Sequence, residues 1–244
     1  MTRKKIVFVI VEGPSDDEAL GVLFSRLYDK NTVHVEITHG DITTDFKIAP
    51  RDIAKALGNL VKAYAKSNPF SRNDFQQVIH LIDMDGAYIP DAAIRYHPEA
   101  DKPVYSLTEI KTVRPEQLAL RNQHKREKLA RIRSLTKIWG TIPYQAYYMS
   151  RNLDHVLYGK LNSSDQEKEA DAHAFAKKYR EDIDGFLAFL SDSDFSRMDG
   201  YLESWDFIKR DLHSLERFTN LGLCFAKIRE ERRLHLSLSA KNER

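Results

Sequence analysis

The sequence predicts an α/β fold, a parallel sheet flanked by helices with a helical C-terminal part. Three observations predict it. Lys5-Ile6-Val7-Phe8-Val9-Ile10-Val11 is an unbroken β-branched and aromatic run, the pattern of a strand buried on both faces. Further strand-like runs alternate with helix-period segments through Met149, which implies βαβ units. Past Ser150 the pattern turns helical and acidic.

The elements follow in order. Gly13-Pro14-Ser15 breaks the first strand, and Ser15 or Asp16 can cap a helix carrying Leu20, Leu23, Phe24 and Leu27 at helical spacing. Val33 to Thr38 alternates as a second strand. Pro50 opens a helix through Ile53, Leu57, Leu60, Val61 and Tyr64. Gln77 to Ile82 is a third strand, running straight into Asp83-Met84-Asp85-Gly86. Residues 87–113 show little periodicity and read as an insertion. Arg114 to Ile138 reads as one long helix, and Tyr144 to Met149 as a fourth strand. A short helix starting at Leu153 and helices over 164–180, 182–191 and about 196–217 complete the reading. The division is a domain at 1–160 and a helical region at 161–244, either a small domain or helices wrapped round the sheet.

Composition narrows the class. Of the 244 residues, 42% are hydrophobic and 30% charged, which fits a folded globular chain. The longest apolar run is far shorter than a membrane span requires, so no membrane partner is expected, and the N-terminal residues lack the pattern of an export signal. A single cysteine, Cys224, makes neither an internal disulfide nor a cysteine zinc site, and the expected compartment is the cytoplasm. The net charge of +2 is small but segregated: Arg114–Lys137 holds eight bases against two acids, whereas residues 162–216 hold fourteen acids against seven bases. Two readings compete. The halves complement each other, or the basic helix is a nucleic-acid surface in which Arg121, Lys125, Lys128, Arg131 and Arg133 hold phosphates.

The chemistry is expected at strand ends, because open parallel sheets bind ligands beyond the carboxyl ends of their strands. Glu12 follows the first strand, Asp83 and Asp85 follow the third, and Asp154 lies just past the fourth; Asp16 is four residues beyond Glu12. Massed carboxylates repel one another unless a cation neutralises them, and hard divalent cations prefer oxygen ligands. Against this stands the plain reading of Asp-x-Asp-Gly as a turn. His39-Gly40-Asp41, after the second strand, lines the same edge or forms a turn. Tyr144, Tyr147 and Tyr148 can stack bases or pack the core.

Val9-Ile10-Val11-Glu12-Gly13-Pro14-Ser15-Asp16, followed by Ile82-Asp83-Met84-Asp85-Gly86, resembles the TOPRIM domain, the Mg²⁺-binding Rossmann-like module of topoisomerases, bacterial primases, recombination-repair proteins and OLD-family nucleases. The resemblance covers residues 4–160. Pro14 stands where the primase type carries lysine, the length leaves no room for topoisomerase domains, and the lone cysteine excludes the zinc-bearing recombination type. Glu12 with Asp16 is similar to the Glu-Gly-x-x-Asp of OLD-like nucleases. Asn152-Leu153-Asp154 falls where that family has a third acidic motif, with Asn and Asp in place of Ser and Glu, and Lys160, Lys168 and Lys177 compete for the family's downstream lysine.

The resemblance implies a Mg²⁺- or Mn²⁺-dependent nuclease acting on DNA or RNA. Glu12, Asp83 and Asp85 are its expected catalytic acids, and the same three with Asp16 and Asp154 its metal ligands. OLD-like proteins usually carry an ABC-type ATPase, and this sequence has no G-x-x-x-x-G-K-[ST]. A separately encoded ATPase and an anti-phage or abortive-infection role are what the resemblance then suggests; self-association is a separate expectation. The rival is a non-catalytic nucleic-acid- or partner-binding module.

Overall fold

The structure is a computed structural model that describes the backbone of residues 4–242 and the side chains of residues 4–235. Strand β1 (Lys5–Val11), helix α1 (Pro14–Leu27) and strand β2 (Val33–His39) lead through α2 (Ile53–Ser67) to β3 (Phe75–Asp83). Three short strands follow, β4 (Ile94–Tyr96), β5 (Val104–Tyr105) and β6 (Ile110–Thr112). Then come α3 (Pro115–Ile132), β7 (Lys137–Ile138) and β8 (Ile142–Met149). Helices α4 (Leu153–Tyr158), α5 (Asp165–Tyr179), α6 (Ile183–Asp192), α7 (Tyr201–Phe207) and α8 (Ala226–Asn242) follow.

The main sheet has the order β2-β1-β3-β8-β7. β1, β2, β3 and β8 are parallel, and only the short β7 runs antiparallel, as a hairpin with β8. Residues Ile6 to Val11 of β1 are all buried, as a central strand covered on both faces requires. Their alternation divides the core. Val7, Val9 and Val11 join α1, α5, α6 and the 3₁₀ turn Leu221–Phe225, while Ile6, Phe8 and Ile10 meet α2, α3 and Trp205 of α7. Phe8 lies with ring centroids 5.2 Å from Tyr64 and 6.1 Å from Phe75; truncating such a side chain typically costs about 3–5 kcal/mol. The α5 and α6 helices thus wrap the sheet and share its core. Among the described residues no helix is long and apolar enough to cross a membrane.

Several local expectations change. The 87–113 insertion is ordered: β4, β6 and β5 form a second sheet over a small core of Ile89, Ile94, Tyr105, Ile110, Leu118 and Leu215. The helix expected over 114–138 stops at Ile132, because Lys137-Ile138 pairs back on Ile142-Pro143 through a turn in which Trp139 and Gly140 take φ of 41° and 84°. The helix expected over 196–217 shrinks to α7. Gly200 at φ 130° blocks it on one side, and turns around Asp211, at φ 46°, replace it on the other. The basic tail forms α8, tied by Arg229 to Asp192 and by Arg232 to Asp184.

Beyond the β7 hairpin, the outer edge of β8 is covered by residues 218–220. Thr219 Oγ1 donates to the Tyr148 carbonyl at 2.6 Å, Asn220 Oδ1 accepts the Tyr148 N–H at 2.8 Å, and the Ser150 N–H donates to the Phe218 carbonyl at 2.9 Å. A strand edge that would otherwise invite another chain is closed this way.

Candidate active site at the carboxyl edge of the sheet

The chain leaves β1 toward β2 on one side and returns through α2 to β3 on the other, so the order reverses between β1 and β3. Such a switch point opens a crevice at the carboxyl ends of the strands. Glu12 and Asp83 face each other across it. The Asp83 N–H donates to Glu12 Oε1 at 3.0 Å, and Asp83 Oδ1 accepts the Leu153 N–H at 3.1 Å. Two carboxylates therefore stitch together the ends of β1, β3 and the β8–α4 connection. Asp16 sits in the first turn of α1, where Oδ2 accepts the Gly13 N–H at 2.9 Å.

Charge tells these acids apart. Burial raises the Glu12 carboxyl well above its ordinary range; Lys125 opposes the rise, and Asp41 and Asp85 add to it. Burial also raises Asp83, and repulsion from Glu12, Asp16 and Asp85 adds to it. Asp16 is pushed up to about 6, chiefly by burial, with Asp154 contributing against the Gly13 N–H. Burial and mutual repulsion thus hold all three carboxyls above their ordinary range, and Lys125 only partly offsets this.

Asp85 is different. Burial alone would raise it, but Lys125, Arg121 and Arg151 outweigh burial and hold it well below the usual carboxylate range. Lys125 Nζ lies 2.8 Å from Asp85 Oδ2 and 3.9 Å from Glu12 Oε1, and Arg151 Nη1 is 3.3 Å from Asp85 Oδ1. Arg121 Nη2 donates to the Asp85 carbonyl at 2.8 Å. The Asp85 backbone is left-handed, at φ 49°, and Gly86 follows at φ 68°. A Cβ on Gly86 would come within 2.8 Å of Leu215 and 2.9 Å of Ile110. The Asp-Gly pair is therefore a tight turn in which only glycine fits the second place, and it swings the Asp85 carboxylate toward the cations.

Asp154, on α4, is buried, with Oδ2 lying 3.3 Å from Lys168 Nζ and 3.4 Å from Asn152 Nδ2. Asn152 caps α4 through its Oδ1 and the His155 N–H at 2.9 Å. Of the competing lysines, Lys168 is the one beside a site acid; Lys160 pairs with Asp171 at 2.6 Å, and Lys177 is exposed.

The basic helix does not present its cations as one outward face. Lys125 and Lys128 are fully buried. Lys128 Nζ donates to the carbonyls of Ile42 (3.0 Å) and Asp45 (2.7 Å), clamping the loop after β2. Arg121 is spent on the Asp85 turn, Arg133 pairs with Asp206 at 2.6 Å, and Arg131 alone of the five is exposed. The expected tyrosines are buried too: Tyr144 bonds His80 at 2.7 Å, and Tyr148 donates to the Ser204 carbonyl at 3.0 Å.

Two further contributors lie outside the Glu-Gly and Asp-x-Asp motifs: Asp41, from the His39-Gly40-Asp41 segment expected to line this edge or form a turn, and Arg151, which no motif pointed to. Asp41 caps its own turn through Thr43 and Thr44 and acts on Lys125 through charge. Arg151 lies two residues past the end of β8, beyond the carboxyl edge that singled out Glu12 and Asp83.

By chemistry the donor set, carboxylate oxygens only, suits a hard divalent cation. Among the described residues, however, no group of three or more His, Cys, Asp or Glu side chains is arranged to hold an ion as it stands. The contacts give the reason: Leu153 draws the Asp83 carboxylate, Gly13 draws that of Asp16, and Lys125 draws Glu12 and Asp85. Comparison with protein-family models, curated proteins and solved structures returns no match.

Proposed function

We propose that the chain is a Mg²⁺- or Mn²⁺-dependent phosphodiesterase acting on DNA or RNA, of the TOPRIM type and nearest the OLD-like nucleases. One observation carries the reading. Glu12, Asp16 and Asp83, delivered by three separate elements, lie close enough at a switch-point crevice for their charges to act on one another, and burial with that repulsion raises all three, a cost that an arriving cation would relieve.

In this reading Glu12, Asp16 and Asp83 hold the cation, and Asp154 extends the acidic edge beyond Asp16. Bound there, a divalent ion supplies a more acidic water and offsets charge on the leaving oxygen. Asp85 positions: it fixes Lys125 beside Glu12 and Arg151 at the mouth of the crevice. A partner ATPase and a role in anti-phage defence remain part of the proposal on the strength of the motif resemblance alone.

A second reading has one observation in its favour. Lys125 already pairs with Asp85 and approaches Glu12, as a resident cation would in a binding module that needs no ion. Incubating the full chain with single- and double-stranded DNA and with tRNA, in Mg²⁺ or Mn²⁺ and with excess EDTA, tests both. Cleavage that EDTA stops and Glu12→Gln abolishes supports the nuclease. Binding without cleavage in either metal supports the module.

A further inference from the structure

Around Asp85 the cations are not equally occupied. Arg121 is used up: it donates to the Asp85 carbonyl at 2.8 Å, to Asn122 Oδ1 at 2.7 Å and to the Tyr105 hydroxyl at 3.4 Å. Lys125 is buried between Asp85 and Glu12. Arg151 is not used up. Among the described residues its one side-chain hydrogen bond is the 3.3 Å contact from Nη1 to Asp85, and its buried Nε has no partner. A guanidinium carries five N–H donors in a rigid plane, so most of this one's capacity is idle.

Its plane is nevertheless held. The guanidinium carbon lies 3.7 Å above the centroid of the Tyr105 ring, a stacking distance that orients the fork without consuming its donors. Tyr105 belongs to β5 of the insertion, is itself buried, and is fixed through its backbone, whose N–H donates to Asn162 Oδ1 at 2.9 Å and whose carbonyl accepts from Asn162 Nδ2 at 2.8 Å. The insertion thus supplies a platform for an arginine beside the crevice. The Arg151, Asp85 and Glu12 side chains are 14%, 17% and 15% exposed, so all three open to solvent.

We propose that Arg151, stacked on Tyr105, is the phosphate-binding fork of this edge, taking two oxygens of a substrate phosphate while Asp85 holds its other side. A planar, oriented guanidinium with free parallel donors matches phosphate geometry bidentately, which an ammonium cannot do. The proposal deepens the nuclease reading and rests on it for the phosphate being that of a nucleic-acid backbone. It also gives the insertion sheet a task, because Tyr105 reaches the site only from β5.

The test separates the two. Calorimetric titration of the full chain with inorganic pyrophosphate, without divalent ions, reads the fork; titration with Mn²⁺ alone reads the acids. Expected results are pyrophosphate binding by wild type and weakening by about tenfold or more in Arg151→Gln, with Mn²⁺ affinity retained. Arg151→Lys should recover only part of the loss, and Tyr105→Leu, which keeps every charge, should weaken pyrophosphate binding several-fold. Should Arg151→Gln melt far below wild type, the charge-conserving Lys and the Leu variants carry the test. Equal pyrophosphate affinity in wild type, Arg151→Lys and Tyr105→Leu, or no binding by wild type, overturns the fork. Pyrophosphate binding that needs Arg151, in a chain that neither binds Mn²⁺ nor cleaves, keeps the fork and overturns the nuclease reading.

Discussion

Glu12 Oε1 accepts the backbone N–H of Asp83 at 3.0 Å, so the residues that end two neighbouring strands are bonded through one pair of atoms while their carboxyl groups repel. Glu12→Gln and Asp83→Asn keep an acceptor oxygen and lose the charge. Each is expected to lower metal-dependent cleavage by at least about 100-fold with the fold retained, as checked by a nuclease assay beside circular dichroism.

Neutralising Asp16 or Asp83 changes stability in a direction fixed by their raised pKa values. An acid whose folded pKa lies above its unfolded one contributes stability below the unfolded value, and loses it as pH rises through the folded value. For Asp16 that window runs from the ordinary carboxylate range to about 6. In EDTA, Asp16→Asn and Asp83→Asn should therefore gain melting temperature relative to wild type between pH 4 and pH 8. A constant difference across that range would show that these acids titrate normally.

Lys125→Met leaves Asp85 buried with less compensation. Removing one partner of a buried pair typically costs about 3–5 kcal/mol, and Mn²⁺ should restore part of it. Urea unfolding with and without the ion measures both.

His80 is buried on β3 and bonded to Tyr144; burial lowers its pKa to about 3. A base depressed in this way contributes stability above its unfolded pKa and loses it as pH falls toward the folded one. Between pH 7 and pH 5 the loss for one such histidine is about 2 kcal/mol. The stability difference between wild type and His80→Gln should shrink by that amount over this interval in urea titrations at the two pH values.

Arg131 is the exposed member of the basic helix. Arg131→Gln should weaken nucleic-acid binding and reduce the slope of log affinity against log salt by about one. Lys128→Met should instead raise protease sensitivity in the loop its ammonium clamps at Ile42 and Asp45. Fluorescence anisotropy over a salt series and limited proteolysis separate the two effects.

The central strands and their acidic ends were legible because burial on both faces leaves a continuous apolar run, and Glu12 and Asp83 are the first charges after such runs. The inward lysines were not legible from charge counting, although periodicity held the signal. Leu118, Asn122, Lys125, Leu129 and Ile132 recur at three- and four-residue spacing and form the buried stripe of α3. A lysine inside an apolar stripe needs a buried acid, and Asp85 comes from a turn 40 residues away in sequence. The helix expected over 196–217 failed for a different reason. Its apolar residues are real core members, such as Leu215 packed against the insertion, but they arrive there through turns once Gly200 has broken the period.

The cover that residues 218–220 place on β8 also dictates timing. A ribosome delivers chains from the N-terminus, so β8 emerges with only the start of its outer edge paired, by β7, and the rest is covered once Phe218, Thr219 and Asn220 have been made. Leu221 and Phe225, which fill the core beneath α1, arrive later still. The N-terminal half therefore shares its core with residues from the far end of the chain. The outer edge of β8 is completed only by residues that lie about 70 positions later in the chain.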